Sequence, residues 1–548
     1  MRFYHRFVDE TLDDNGTLQQ FSLHYPDNFN FGYDVVDAIA DEAPQRRALV
    51  WCNQRGDERI FTFSEIKELS NRAANFFRAQ GVKQGDRVMV MLKRHHEYWY
   101  TIVGLHKLGA VVIPATHMLT TKDMEYRINA VGIRTVVVTG EDGTAEALAH
   151  CKCASLQNKI IVHGSHPGFV DFAQGIAEAS PELERVPTKV TDPFLLYFTS
   201  GTTGQPKAVM HDFTYPLGHV ITARHWQNVR DGGLHLSVSD TGWGKASWGK
   251  IYGQWLSGAA VMVYDYDQFN PHKLMEVVQK YGVDTFCAPP TVFRYLVKRK
   301  IPNGMFSSVQ YAVTAGEALN PEIAVKFQEQ TGLTLHEGFG QTESVLMVGN
   351  LVGMPVRPGS MGKPSPLYHI ELLKEDGTYA KDGEEGEMVV VPPENGVQHG
   401  VFMGYDGDED LYRWVWRGGV YHTRDIARRD SDGYYWYCSR TDDVIKSSGY
   451  RISPFEVESV LMEHPAVMEC AVVGVPDLDR GAAIKAFIVP THPDADHAEL
   501  TAQLRHYMAE NAASYKHPKL YEFVSEMPKT ISGKIRRVEL REGEKNKS

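Results

Sequence analysis

The sequence predicts an α/β protein: a large N-terminal domain of parallel sheets covered by helices, with a β-rich subdomain, followed by a small α+β domain. Three observations carry this. Apolar strand-like runs alternate with helical patterns through the first two-thirds of the chain, as in parallel sheets whose crossovers are helices. From about Gly383 the texture changes to short β-rich pieces with Gly-Asp turns, and the polar segment Arg440–Lys446 then separates two folded-looking regions. At 548 residues the chain is also too long for one ordinary core.

The elements follow in order. The N-terminus, Met1 to Asp14, is mixed in charge and has no long apolar run, so it reads as neither a secretory signal nor a transit peptide. Thr62-Phe63-Ser64-Glu65 reads as a capping box. Ile66, Leu69, Ala73, Phe76 and Phe77 then share one helical face up to Gly81. Arg87–Leu92 reads as a buried strand, a helix follows from about Tyr98 to Leu108, and Ala110–Pro114 is the next strand. Thr135–Val138, Ala259–Tyr264 and Thr285–Ala288 continue the series. Glu387–Val391 and the turn at Asp432-Gly433 belong to the β-rich part. Beyond it come a helix at about Pro454 to Glu463, a strand at Glu469–Val475, and enough chain for a small domain. A boundary near Asp442 divides residues 1–440 from 441–548.

Composition is that of a globular enzyme, 43% apolar and 23% charged. The 57 basic and 69 acidic residues leave −12, which argues against broad nucleic-acid or anionic-membrane binding and leaves room for a local basic site. Six cysteines are too sparse for a disulfide scaffold, and Cys151-x-Cys153 lacks a second ligand pair for zinc. Eighteen consecutive apolar residues occur nowhere, so no membrane span is expected, and a cytoplasmic enzyme is the expectation.

The chemistry concentrates first in Tyr197-Phe198-Thr199-Ser200-Gly201-Thr202-Thr203-Gly204-Gln205-Pro206-Lys207. An apolar strand feeds a run of glycines and hydroxyls closed by a lysine. Backbone N–H groups of such a turn converge on an anion, hydroxyls add donors, and the lysine adds a point charge. It is not a Walker A loop: two residues, not four, separate Gly201 from Gly204, and Ala208 follows Lys207.

This string resembles the phosphate loop of the adenylate-forming superfamily, which includes acyl- and aryl-CoA synthetases, firefly luciferase and the adenylation domains of peptide synthetases. The resemblance implies that a carboxylate is activated with ATP and Mg²⁺ to an acyl-AMP, releasing pyrophosphate, and that the acyl group then passes to a thiol such as CoA. It implies that Thr199, Ser200, Gly201, Thr202, Thr203, Gly204 and Lys207 meet the phosphates. It also implies a large N-terminal domain, a hinge and a small mobile C-terminal lid, and it extends over nearly the whole chain.

Gly338-Phe339-Gly340-Gln341-Thr342-Glu343 fails as a dinucleotide fingerprint, because glutamate stands where the third glycine is needed. By the resemblance, Phe339 stacks on adenine, Thr342 donates to the α-phosphate, Glu343 helps hold Mg²⁺, and Gly340 and Gln341 line the same site. An aromatic face suits a base, a hydroxyl an anion, and a hard oxygen a hard cation. Thr314-Ala315-Gly316-Glu317 resembles the adenine-binding turn, with Gly316 and Glu317 at the base edge. In Tyr421-His422-Thr423-Arg424-Asp425, Asp425 is expected to accept from the ribose hydroxyls. The family usually has glycine at Arg424 and more often glycine at Ser439. Arg440 is expected to contact ribose or phosphate, and Asp442 sits at the hinge position.

Two motifs belong to the lid. Lys446–Ile452 resembles the loop lining the pantetheine tunnel, with Ser448, Gly449, Tyr450 and Arg451 along it. Pro528-Lys529-Thr530-Ile531-Ser532-Gly533-Lys534 resembles the catalytic-lysine motif, in which Lys534 offsets charge that spreads in the transition state. With Lys207, Thr342 and Glu343 it forms the expected catalytic set. Adenylation needs the lysine at the phosphate and thioester formation needs the thiol at the carbonyl, so a lid that swaps faces is implied.

The acid is less sharply indicated. Gly340 occupies the place where acetate-restricted relatives tend to carry tryptophan, which implies an acyl tunnel open beyond two carbons. Ser239–Trp243, Phe286–Thr291 and Pro358–Pro364 look most like the medium-chain acyl-CoA synthetase branch of fatty acid metabolism, and Trp243 is a candidate pocket wall. A medium-length, branched or aromatic acid is expected. Loading of a carrier protein, a non-catalytic nucleotide sensor and a luciferase-type oxygenase share parts of these motifs. Oligomeric state is not legible.

Overall fold

Val111–Pro114, Thr135–Thr139 and Ala260–Asp265 are strands in which every residue is buried, as a parallel sheet covered on both faces requires. The computed structural model describes residues 2–199, 205–394, 396–447, 450–477, 480–530 and 533–545.

Two large sheets make up the N-terminal part. The first runs, in spatial order, Gly404–Tyr405, Lys207–Asp212, Pro193–Thr199, Val111–Pro114, Arg87–Met91, Thr135–Thr139, Asn158–Val162 and Val170–Asp171. It is parallel except where Lys207–Asp212 turns back antiparallel on both its neighbours. The second runs from Lys363–Pro364 through Val348–Gly349, Leu335–Phe339, Tyr311–Ala315, Thr285–Ala288, Leu234–Ser237, Ala260–Asp265 and Arg47–Asn53 to Glu58–Thr62, with a parallel centre and antiparallel edges.

Helix Phe63–Ala79 starts at the expected capping box, where the Glu65 amide donates to Thr62 Oγ1 at 3.2 Å and the Thr62 amide to Glu65 Oε2 at 2.8 Å. Such a cap is worth about 1 kcal/mol. The next helix, Glu97–Lys107, begins one residue earlier than the apolar pattern suggests and is buried on all sides, as a helix enclosed in a large core is. Trp99 Nε1 donates to the Lys250 carbonyl at 2.7 Å. Its buried Lys107 ammonium is held by Asp37, Ser70 and Asn71 at 2.6, 3.0 and 2.7 Å.

The β-rich part is a four-stranded antiparallel sheet, His369–Leu373, Glu385–Val391, Tyr421–Arg429 and Tyr435–Arg440. It begins before the expected Gly383, because Ile370 and Leu372 are buried between half-exposed or exposed neighbours in an alternation only five residues long. After it, Ile445–Ser447 pairs with Tyr450–Ile452. A last sheet of Val467–Asp477, Gly481–Pro490 and Leu520–Phe523 packs against helices Pro454–Glu463 and His497–Asn511. Arg294 meets Glu469 at 3.3 Å, Lys298 reaches the Val467 and Met468 carbonyls at 3.4 Å, and Asn320 Nδ2 donates to Ser459 O at 3.3 Å, seating this last part on the second sheet's helices. No helix among the described residues is long and apolar enough to cross a membrane.

Candidate active site

Strand ends assemble the site. Pro193–Thr199 delivers Thr199, and Lys207 begins the neighbouring strand directly opposite it. Residues Ser200, Gly201, Thr202, Thr203 and Gly204 lie outside the described residues. Lys207 Nζ sits 5.8 Å from the Tyr405 ring. Burial lowers its pKa, and the Arg424 charge adds to the effect.

Leu335–Phe339 ends at the second motif, whose residues Phe339 to Glu343 are half-buried. His211 fixes the turn: its Nε2 donates to the Thr342 carbonyl at 2.8 Å, and burial pushes its pKa down to about 4, so the ring is neutral. A Cβ on Gly244 would lie 3.4 Å from Thr342 Oγ1, so the helix Gly244–Gly249 rests against that hydroxyl. The Tyr405 hydroxyl donates to Glu343 Oε1 at 2.9 Å. This orients the carboxylate and leaves Oε2 for a cation. One fixed carboxylate fits Mg²⁺, which takes few protein ligands and completes its shell with water and phosphate.

Gln341 is a clasp. Its amide donates to the Thr423 carbonyl at 2.7 Å and to Asp425 Oδ2 at 2.6 Å, while its own oxygen accepts from Tyr421 at 2.7 Å. The second motif is thereby tied to the strand that carries Asp425. Burial raises the Asp425 pKa, and Arg440, at 3.4 Å from Oδ2, opposes this. Asp442 lies 3.6 Å from Arg440 Nε and 3.3 Å from Arg424 Nη2.

Arg424 departs from the usual glycine, and its φ of 65° shows why glycine is usual there. A side chain in the left-handed region costs about 1–2 kcal/mol. The conformation is held by the Arg424 amide donating to Glu387 Oε1 and the Arg424 carbonyl accepting from Thr441, both at 2.9 Å. Arg424→Gly is expected to relieve the strain while losing a pair worth about 0–1 kcal/mol, so it should be at least as stable as the parent. Arg424→Val keeps the strain and loses the pair, and should be about 1 kcal/mol or more less stable in chemical denaturation.

Gly316, with φ 106°, follows the strand Tyr311–Ala315, and Glu317 Oε2 accepts from Thr291 at 2.9 Å. Lys245 donates to the Ala315 carbonyl at 2.7 Å, and burial lowers its pKa. Lys534 is exposed at the end of its motif, where its amide donates to Thr530 Oγ1 at 3.1 Å. Its charge is among the smaller influences that lower the pKa values of Asp425 and Lys245. Lys207, Lys245, Arg424, Arg440 and Lys534 form a cationic cluster inside an acidic chain.

The expected pantetheine-loop residues fall among the described residues only in part. Ser448 and Gly449 lie outside the described residues, Arg451 belongs to the short strand Tyr450–Ile452, and Tyr450 is exposed and stacks on Tyr515 with ring centroids 4.5 Å apart. Trp243 is half-buried at the start of helix Gly244–Gly249. At Gly340 a Cβ would lie 2.3 Å from the Trp248 ring, so the glycine lets that indole approach the backbone. The two residues stand 92 positions apart in the chain, so no local spacing reports this contact. Sequence reasoning also missed Tyr405, His211 and Lys245, which sit outside every motif.

Residues 36–405 match the family model "AMP-binding enzyme" and residues 456–534 match "AMP-binding enzyme C-terminal domain". The chain is 37% identical over 537 residues to the human acyl-coenzyme A synthetase ACSM3, mitochondrial, covering 96% of this chain and 91% of that protein. Among solved structures, the anthranilate CoA ligase AuaEII in complex with anthranoyl-AMP is similar with a TM-score of 0.86 at 26% identity, covering 95% of this chain and 98% of that one. The Brucella canis acyl-CoA synthetase is similar with a TM-score of 0.73 at 30% identity, covering 96% of each.

Proposed function

The chain belongs to the AMP-binding enzyme family and is an AMP-forming acid–thiol ligase of the acyl-CoA synthetase type, and we propose that its acid is medium-length, branched or aromatic. ATP and the acid bind residues 1–440, and residues 441–548 act as a lid hinged at Asp442. Asp425 keeps Oδ2 for Gln341 and Arg440 and offers Oδ1 to the ribose hydroxyls. Thr342 donates to the α-phosphate, and Lys207, Arg440 and Lys534 offset phosphate charge. Glu343 would hold Mg²⁺, which supplies charge neutralisation on the phosphates when bound.

The observation that carries the adenylation role is the joining of the Thr342 turn to the ribose candidate, where the Gln341 amide donates to Asp425 Oδ2 at 2.6 Å beside Arg440. Thioester formation then requires the lid to turn, since Tyr450 faces Tyr515 in this arrangement. For the acid, support comes from relatives whose names specify acyl and anthranilate CoA ligation, and from the Trp248 ring against Gly340 in the motif that carries Thr342.

Carboxylate-dependent ATP–pyrophosphate exchange, run from acetate to decanoate with branched and aromatic acids alongside, tests this reading. Exchange should peak at intermediate length or with a ring. Neighbouring acids should differ by about 10–200-fold at most, because one methylene is worth only about 1–3 kcal/mol. A maximum at acetate would overturn the substrate class.

A further inference from the structure

Away from this site, two histidines and a glutamate from three separate loops turn their free ligand atoms toward one point. His95 lies in the turn between strand Arg87–Met91 and helix Glu97–Lys107, Glu141 follows strand Thr135–Thr139, and His163 follows strand Asn158–Val162. One ligand atom from each lies within 4.8 Å of the others. His95 Nε2 is 3.6 Å and His163 Nδ1 3.8 Å from the same oxygen, Glu141 Oε2. Both ring nitrogens are buried and neither has a hydrogen-bond partner.

The opposite nitrogens explain the orientation. His95 Nδ1 is 2.9 Å from Asp265 Oδ2, and His163 Nε2 is 2.9 Å from Glu97 Oε1. Each carboxylate fixes its imidazole in the tautomer that presents a lone pair to the shared point, the arrangement by which carboxylates orient metal-ligating histidines. Two backbone features hold the loops together. His163 adopts φ 58°, in the left-handed region where a non-glycine residue is strained. Gly140 donates to the His163 carbonyl at 3.0 Å, and a Cβ on Gly140 would lie 2.2 Å from that oxygen. Strain and close approach together set Glu141 opposite His163.

We propose that His95, Glu141 and His163 bind a divalent transition cation of the Zn²⁺ class, with Asp265 and Glu97 as its outer supports. Two neutral imidazoles and one carboxylate suit Zn²⁺, with ligand bonds of about 2.0–2.2 Å. Tetrahedral bonds of that length need the ligand atoms about 3.4 Å apart, which the separations of 3.6 and 3.8 Å from Glu141 Oε2 approach. His95 is 4% exposed and makes the fixed wall, while the side chains of Glu141 and His163 are 33% and 37% exposed and face the entry path. Solvent supplies the fourth ligand. Because Asp265 belongs to the second sheet and the three ligands to loops of the first, the ion clips the two sheets together. Arg94, beside His95, reaches Asp240 at 3.5 Å, so the clip lies next to the segment leading to Trp243.

Full-length protein stripped with a chelator is titrated with ZnCl₂ against a chromophoric competitor, and with CoCl₂ to read the visible spectrum of the bound ion. One ion per chain is expected, with Co²⁺ bands of four- or five-coordinate nitrogen–oxygen ligation and a raised Tm. His163→Gln and Glu141→Gln, chosen because they are partly exposed and spare the buried His95, should lose this binding by tenfold or more while keeping the parent's metal-free Tm. Glu97→Gln should weaken it by about 10–100-fold at unchanged stoichiometry. Absence of stoichiometric binding to the parent, or unchanged affinity in His163→Gln and Glu141→Gln, would overturn the proposal.

Discussion

Lys534→Ala is expected to abolish acyl-AMP formation while largely sparing CoA attack on supplied acyl-AMP. Lys534 is exposed in the C-terminal part, and in the proposed function its ammonium meets the phosphates of ATP. In that proposal it serves the first half-reaction, and the segment around Tyr450 serves the second. A donor aimed at charge that develops in the transition state contributes about 10²–10³ in kcat, so exchange should fall by at least that factor. Acyl transfer from supplied acyl-AMP should stay within about threefold, since uniform binding changes do not alter a step the group does not touch. An equal fall in both half-reactions would refute the division of labour. Folding is not at stake, because an exposed side chain away from packed contacts changes stability by about 0.5 kcal/mol or less.

Asp425→Ala should have the second largest effect. Its carboxylate is buried, receives the Gln341 amide at 2.6 Å and faces Arg440 at 3.4 Å. Hydrogen bonds to a charged group contribute about 1.5–3 kcal/mol, so loss of the ribose contacts should lower kcat/KM for ATP by about 10–100-fold. The clasp between Gln341 and the strand Tyr421–Arg429 would also loosen, and Arg440 would lose a buried partner. Asp425→Asn keeps the shape and an acceptor, and should lie between the parent and the alanine variant. Comparison of ATP with 2′-deoxy-ATP and 3′-deoxy-ATP isolates the ribose share: the parent should discriminate and Asp425→Ala should not. Retained discrimination in Asp425→Ala would remove Asp425 from ribose recognition.

Local signals in the chain were faithful where the cause is local. Ser453 followed by Pro454 and Glu456 starts the helix Pro454–Glu463, with the Glu456 amide donating to Ser453 Oγ at 3.2 Å. The apolar run Thr285–Ala288 is a strand with those limits. Thr62 and Glu65 cap as their spacing requires. What stayed hidden depends on distance along the chain or on backbone angles. The π-helical turns Gly32–Asp37 and Ile221–Trp226 share the apolar pattern of α-helices. Arg424 stood out as a residue in a glycine's place, but only its φ gives the reason.

The site divides the same way. Thr199, Lys207, Gly316, Glu317, Phe339, Thr342, Glu343, Asp425, Arg440 and Lys534 could be named as candidates because each sits in a contiguous motif. Tyr405 orients Glu343 from 62 residues away, and Trp248 packs against Gly340 from 92 residues away. No spacing rule reports such pairs, nor the meeting of His95, Glu141 and His163 across three loops.

The measurement that tests the central claim most directly is product identity under single-turnover conditions with acid, ATP and Mg²⁺, before and after CoA is added. Pyrophosphate should be released without the thiol, with acyl-AMP held on the enzyme, and free AMP should appear only with CoA, one for each acyl-CoA formed. ADP and inorganic phosphate as products, or AMP release equal with and without CoA, would contradict the account.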